Sequence, residues 1–207
     1  VQSFIGSVDL TTLKRDELLE LNLITDELQR REKQEACRSD FLSFVRTMWP
    51  SFIEGAHHRV MCEQFNKIAR GELRRVIINM APRHSKSEMS SYMLPSWLLG
   101  IKPDLKIIQA THTGELAVRF GRKVRDLVDT REYKEIFPNV SLRADSKAAG
   151  RWETTESGEY FASGVGGAIT GRGADLLIID DPHSEQWLTN GILLVHDKDF
   201  NLEERSF

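Results

Sequence analysis

The chain has 207 residues, 40% hydrophobic and 29% charged, enough for one sizeable α/β domain with a core of its own. A formal net charge of −3 excludes a uniformly basic nucleic-acid-coating protein. No apolar run approaches the roughly 20 residues of a membrane-spanning helix, and Val1 to Leu10 lacks the basic and apolar regions of a secretion signal.

Thr11 to Cys37 is highly charged, with apolar residues at Leu18, Leu21, Ile24 and Leu28. Those steps of three and four predict a helix with one narrow stripe, which packs on the main domain or on a partner chain. Cys37 and Cys62 lack CxxC spacing, so they read as small buried hydrophobes in a reducing compartment, with no zinc site. Phe41 to Phe52 is rich in aromatics and predicts a second helix that Pro50 ends. His57 to Ala69 predicts a third.

The pattern then changes. Val76 to Met80 is a short β-branched run, a buried strand. Ala81 to Ser85 forms a loop, and a helix begins near Lys86. Leu105 to Ala110 is a second strand, and Gly114 to Thr130 a helix with Leu116, Phe120, Val124, Leu127 and Val128 at helical spacing. Glu159 to Ser163 predicts a strand, and Leu176 to Asp180 an apolar strand ending in acid. Buried runs alternating with amphipathic helices predict a mainly parallel sheet with helices on both faces, preceded by an N-terminal helical appendage. In such sheets ligands bind at the carboxyl ends of the strands, where the loop after Met80 and the Asp180-Asp181 pair both fall.

Three stretches could carry chemistry. The first is Met80-Ala81-Pro82-Arg83-His84-Ser85-Lys86-Ser87. Lys86 and Ser87 stand where a phosphate loop, GxxxxGK[ST], needs them, but Met80 and Ser85 replace both glycines. A helix start offers free N–H groups and a positive dipole end to an anion. Lys86 there neutralises β- and γ-phosphates and the Ser87 hydroxyl binds Mg²⁺. An ordinary strand-to-helix turn with a solvated lysine carries the same residues. The second stretch is Asp180-Asp181. A carboxylate at the end of a buried strand is costly unless it meets a cation. In phosphate-loop enzymes the first acid holds the Mg²⁺ shell and the second orients water. The third is Gly164 to Gly173, five glycines in ten residues with Arg172 among them. It reads either as a loop presenting an arginine finger or as a flexible loop with a solvated cation. Between Ala117 and Arg151, nine Lys or Arg face five Asp or Glu, which a solvated mixed-charge surface explains better than phosphate contact.

The stretches VIINMAPRHSKSE, IIQATHTGELAVRFGRKVRDLVD, LRADSKAAGRWET and GEYFASGVGGAITGRGADLLIIDDPHSE resemble those of bacteriophage terminase large subunits. The resemblance runs from about Phe41 to Gln186, about seven-tenths of the chain. It implies a P-loop ATPase over residues 41–186, an appendage over 1–40 and an atypical tail over 187–207, with no nuclease domain. It implies ATP and Mg²⁺ as cofactors. The implied partners are double-stranded DNA, a portal protein and a terminase small subunit, around a homo-oligomeric ring on the capsid in the host cytoplasm, with no membrane. Pro82 to Ser87 would cradle the nucleotide, and Arg83 is similar to the arginine such motors place inside the phosphate loop. The chain departs from the family pattern at Ser85, where glycine is usual and a strained backbone is expected. It departs again at Asp181, where glutamate is usual and Glu185 is a substitute. Two other classes remain open: a helicase- or recombinase-like ATPase, and a degenerate, non-hydrolysing binding or assembly module.

Overall fold

A computed structural model describes residues 14–182, apart from 168 and 170, and the backbone of residues 191–196. The chain begins with α1 (Arg15–Ser39), α2 (Phe41–Met48) and α3 (Ala56–Ala69). β1 (Arg75–Asn79) leads through the loop to a helical segment opening at Lys86. That segment is a π-helix over Glu88–Met93 and continues as α4 (Leu94–Ile101). Then come β2 (Lys106–Thr111), α5 (Gly114–Val128), α6 (Arg131–Ile136), β3 (Leu142–Ala148), β4 (Arg151–Thr154), β5 (Glu159–Gly164), β6 (Leu176–Asp180) and β7 (Gly191–His196).

Local chemistry sets several helix starts. Asp40 caps α2 by accepting from the Ser43 N–H, and its other oxygen takes the Asn66 amide of α3, tying the two helices together. Thr113 and Thr130 cap α5 and α6 in the same way. Pro95 falls inside the continuous helical segment, where it has no N–H to offer an upstream carbonyl, and the π-helical turn lies directly before it.

The strands form one seven-stranded sheet in the order β1-β7-β6-β2-β5-β4-β3. The sheet is mixed rather than mainly parallel: only β2 with β5 and β2 with β6 pair in parallel, and the other four neighbouring pairs are antiparallel. One reason is β3 and β4, an antiparallel extension onto β5 that the strand count from sequence omitted. The other is β7, drawn from the atypical tail, whose aliphatic run Ile192 to Val195 supplies a strand between β1 and β6. Because β1 and β6 both pair antiparallel with β7, they run in the same direction. Asn79 lies opposite Gly191 and Asp180 opposite Ile192, so their carboxyl ends reach the same edge of the sheet about 10 Å apart.

The helices also depart from the expected two-sided cover. The main core joins α2 to α6 with one face of the sheet, through Phe41, Phe44, Phe65, Trp97 and Tyr133 against Ile78, Ile107, Trp152, Tyr160, Leu176 and Ile178. The opposite face carries a small cluster of Ile108, Ala174 and Leu177, flanked by Phe161, Ile169 and Ile179, with no helical residue among those described. The glycine-rich segment lies over that face instead. The first half of α1 stands away from the domain. Leu19, Leu23 and Ile24 are at least half exposed, and Cys37 near its end is the helix's buried residue. No described helix is long and apolar enough to cross a membrane.

Trp97 joins these parts. It is buried, its ring lies 5.3 Å from that of Phe41, and its indole N–H donates to the Cys37 carbonyl at 2.8 Å. Trp97→Ala opens a cavity and orphans that carbonyl, so it lowers unfolding free energy by about 3–5 kcal/mol. Leu23→Ala, on the exposed stretch of α1, changes it by less than about 0.5 kcal/mol. Urea denaturation of both variants checks the contrast.

Candidate phosphate-binding site

The site is built where β1 and β6 end. After Asn79 the chain turns through Ala81 to Ser85, and the turn is tight enough to force two non-glycine residues into the left-handed region: Arg83 at φ 63° and Ser85 at φ 62°. The strain expected at Ser85 is therefore present in the backbone. His84 lies between them and fixes the turn, its Nδ1–H donating to the Pro82 carbonyl at 2.8 Å.

Lys86, at the start of the helical segment, is buried, and its Nζ meets Asp181 Oδ1 at 2.6 Å. The Ser87 hydroxyl donates to Asp180 Oδ1 at 3.1 Å, and the Ser91 hydroxyl to Asp180 Oδ2 at 2.8 Å. Asp180 is 1% exposed. Burial pushes its carboxyl above the ordinary carboxylate range, while the Ser91 and Ser87 hydroxyls pull it back. Asp181 is more open and adopts φ 43°, a third left-handed non-glycine residue at the site. A cavity of about 420 Å³ opens over these groups, lined by Trp49, Arg83, Lys86, Ser87, Glu88 and Asp181 among others.

A histidine group supports the loop from below. His58 of α3 is buried, its Nδ1 accepts from the Gly55 N–H at 2.9 Å, and its Nε2 lies 3.0 Å from Nε2 of His57. With Nδ1 accepting, the neutral His58 carries its proton on Nε2 and donates it to His57. Burial and the neighbouring His57 hold His58 below the ordinary histidine value. The His57 ring stands edge-on to His84 at 5.6 Å, which connects α3 to the loop.

Of the residues singled out from sequence, Pro82, Arg83, His84, Ser85, Lys86, Ser87, Asp180 and Asp181 come together here. Arg172 does not join them. Its guanidinium donates to Glu159 at 3.0 Å and stacks 4.0 Å over the Phe161 ring. Glu159 pairs with Lys106 at the opposite end of β2, five residues or about 17 Å along the strands from the Thr111 and Gly164 row. Glu185 lies outside the described residues. Ser91, Trp49 and Glu88 were not legible as site residues. Ser91 sits in an ordinary-looking serine pair, and Trp49 and Glu88 reach the cavity only through the tertiary fold. Glu88 is held by Lys123 of α5 at 2.6 Å.

The cations between Ala117 and Arg151 behave as a mixed-charge surface: Lys123, Arg125, Arg131, Lys134, Arg143 and Arg151 each pair with a carboxylate. Among the described residues no cluster of three or more His, Cys, Asp or Glu side chains could hold a metal. Ser87 and Asp180 together offer only hard oxygen donors. That set suits Mg²⁺, which takes few protein ligands and fills its shell from phosphate and water.

The loop geometry gives a direct test. At φ 62°, Ser85→Gly relieves about 1 kcal/mol of strain, set against a comparable entropic cost in the unfolded chain. It leaves thermal stability nearly unchanged. Ser85→Val places a β-branched residue in the left-handed region and lowers stability by about 2 kcal/mol. Melting curves of the pair check the backbone assignment.

Compared with known protein families and with curated proteins, the chain matches no family model and no curated sequence.

Proposed function

We propose that this chain is an ATP-hydrolysing motor domain of the terminase large-subunit kind, coupling hydrolysis to movement of double-stranded DNA into a procapsid. The observation that carries the reading is the meeting of Lys86 with Asp181 and Ser87 with Asp180, across 95 and 93 residues of sequence. A helix start bearing a lysine and a serine, facing two acids at the end of a strand that runs in the same direction, suits phosphoryl transfer from a nucleotide. The reading of Pro82 to Ser87 as the nucleotide cradle, of a P-loop fold around it, and of portal protein, small subunit and host cytoplasm as its setting belongs to the same proposal.

In this reading the triphosphate enters the cavity along the loop and draws Lys86 off Asp181 onto its β- and γ-oxygens. Mg²⁺, when bound, neutralises charge on those oxygens, and Ser87 and Asp180 are the residues that would hold it. Asp181, released from Lys86, orients the attacking water and accepts its proton. Arg83, on the exposed limb of the loop, stabilises charge on the transferred phosphoryl. Trp49 offers an aromatic face to the rest of the nucleotide. Arg172 is committed to Glu159 on its own chain, far from this chemistry. Its service as a finger therefore requires donation to a neighbouring subunit in a ring.

The non-hydrolysing assembly module is favoured by one observation. The Lys86–Asp181 ion pair occupies both the cation and the water-orienting acid, closing the site on itself. Nucleotide binding followed by phosphate release separates the two readings.

Lys86→Ala lowers ATP hydrolysis by more than about a hundredfold. Asp181→Asn keeps ATP bound and stops turnover. Hydrolysis at the parent rate in Lys86→Ala removes the phosphate-loop reading, and ATP binding without turnover in the parent supports the module. For a finger supplied between subunits, a mixture of Arg172→Ala and Lys86→Ala chains regains activity that neither has alone, against a finger contribution of about 10³ to 10⁵. A phosphate-release assay on the mixture, alongside a native mass measurement, reads this out.

A further inference from the structure

Asp180 holds a hydroxyl that the loop chemistry leaves unused. Ser91 is fully buried, and its Oγ donates to Asp180 Oδ2 at 2.8 Å while Ser87 occupies Oδ1 at 3.1 Å. Both serines lie in the helical segment that follows the loop, four positions apart. Ser91 belongs to its π-helical part, where the Leu94 N–H reaches back five residues to the Met89 carbonyl. Such widened turns are rare and cluster at functional sites. The adjacent Ser90 uses its hydroxyl differently, donating to the Lys86 carbonyl at 2.6 Å as a helical serine commonly does. Of two neighbouring serines, only Ser91 is turned toward the acid.

A carboxylate gripped at both oxygens cannot rotate about its Cβ–Cγ bond. A metal ion would take the Ser87 oxygen through a lone pair and leave its O–H directed at Oδ1, so the second oxygen would depend on Ser91 for its hold. We propose that Ser91 is a positioning residue for the metal site, its hydroxyl anchoring Oδ2 so that Oδ1 stays turned toward Ser87. This rests on the phosphate-site reading above. A serine that merely satisfies a nearby acceptor stabilises the fold without favouring the metal-bound state.

The test compares Ser91→Ala and Ser91→Thr with the parent chain, using a fluorescent ADP analogue titrated in EDTA and again across a MgCl₂ series. In Ser91→Ala, affinity in EDTA stays within about twofold of the parent. The Mg²⁺ concentration giving half-maximal tightening rises about tenfold, the effect of losing one hydrogen bond to a charged group. Mn²⁺ bound to the protein–ADP complex, followed by electron paramagnetic resonance, weakens in parallel. Ser91→Thr keeps the hydroxyl and stays within about threefold; should it melt well below the parent, the alanine variant alone decides. An unchanged Mg²⁺ midpoint in Ser91→Ala, with the parent showing Mg²⁺-dependent binding, overturns this inference and leaves the phosphate site standing. Equal losses in EDTA and in Mg²⁺ overturn it too, because they mark general packing. A parent chain that binds no nucleotide under either condition overturns both.

Discussion

A carboxylate at 1% exposure is the constraint around which this molecule is organised. Removing an ionised acid from water is costly, and the cost is tolerable only where donors surround it. Asp180 is met by Ser87 and Ser91, from two successive turns of one helical segment, and Lys86 is drawn to the adjacent Asp181. Three groups of one segment therefore converge on two acids of one strand end. The segment must start within a residue or two of Lys86, and the loop before it must turn sharply enough to let that happen. The burial of Lys86 and the shape of the cavity both follow from that convergence.

The sharpness of the loop appears in its backbone. Four described non-glycine residues have clearly positive φ, and three of them, Arg83, Ser85 and Asp181, line this one site. Strain concentrated in this way persists only where surrounding contacts over-determine the conformation. The contacts here are the His84 bond to the Pro82 carbonyl, the Lys86–Asp181 pair and the histidine group of α3 beneath. A glycine-rich phosphate loop reaches a similar path without strain. Here serine and arginine are held in place by their neighbours.

The sheet shows that strand direction matters to the site more than the parallel or antiparallel character of the whole. β7 runs against both β1 and β6, yet by pairing with each it leaves them co-directional and their ends aligned. The two faces are unequal. One is covered by the aromatic-rich helices, whereas the other is covered, in the described residues, by little more than the glycine-rich segment. That segment places Arg172 on Phe161 and Glu159, where a planar cation finds both a ring face and a carboxylate.

Local chemistry, read along the chain, was sufficient for α1, α3, α5, β1, β2, β5 and β6. α3, α5, β2, β5 and β6 are periodic or apolar runs long enough for hydrophobic burial to outweigh weak local propensity. α1 and β1 show their pattern although α1 is largely exposed and β1, expected to be buried, buries only Ile78. Local chemistry also marked Lys86, Ser87, Asp180 and Asp181, because a helix start after a β-branched strand and an acid at a strand end are local facts. The strain at Ser85 was legible for the same reason: the loop has to turn where glycine is absent. β3 and β4 were not legible: β3 is polar and pairs irregularly with β4, and β4 is four residues long and depends on the edge of β5 for its own pairing. The antiparallel entry of β7 was not either, since an aliphatic run fits a strand of either direction and only its neighbours choose between them. Arg172 stands next to the acidic strand in sequence but at the far end of the sheet in space, because a strand carries its two ends about 17 Å apart. Ser91 joined the site for the converse reason. One helical turn lies beneath Asp180 only once the sheet and the helical segment have packed, and nothing local distinguishes Ser91 from Ser90.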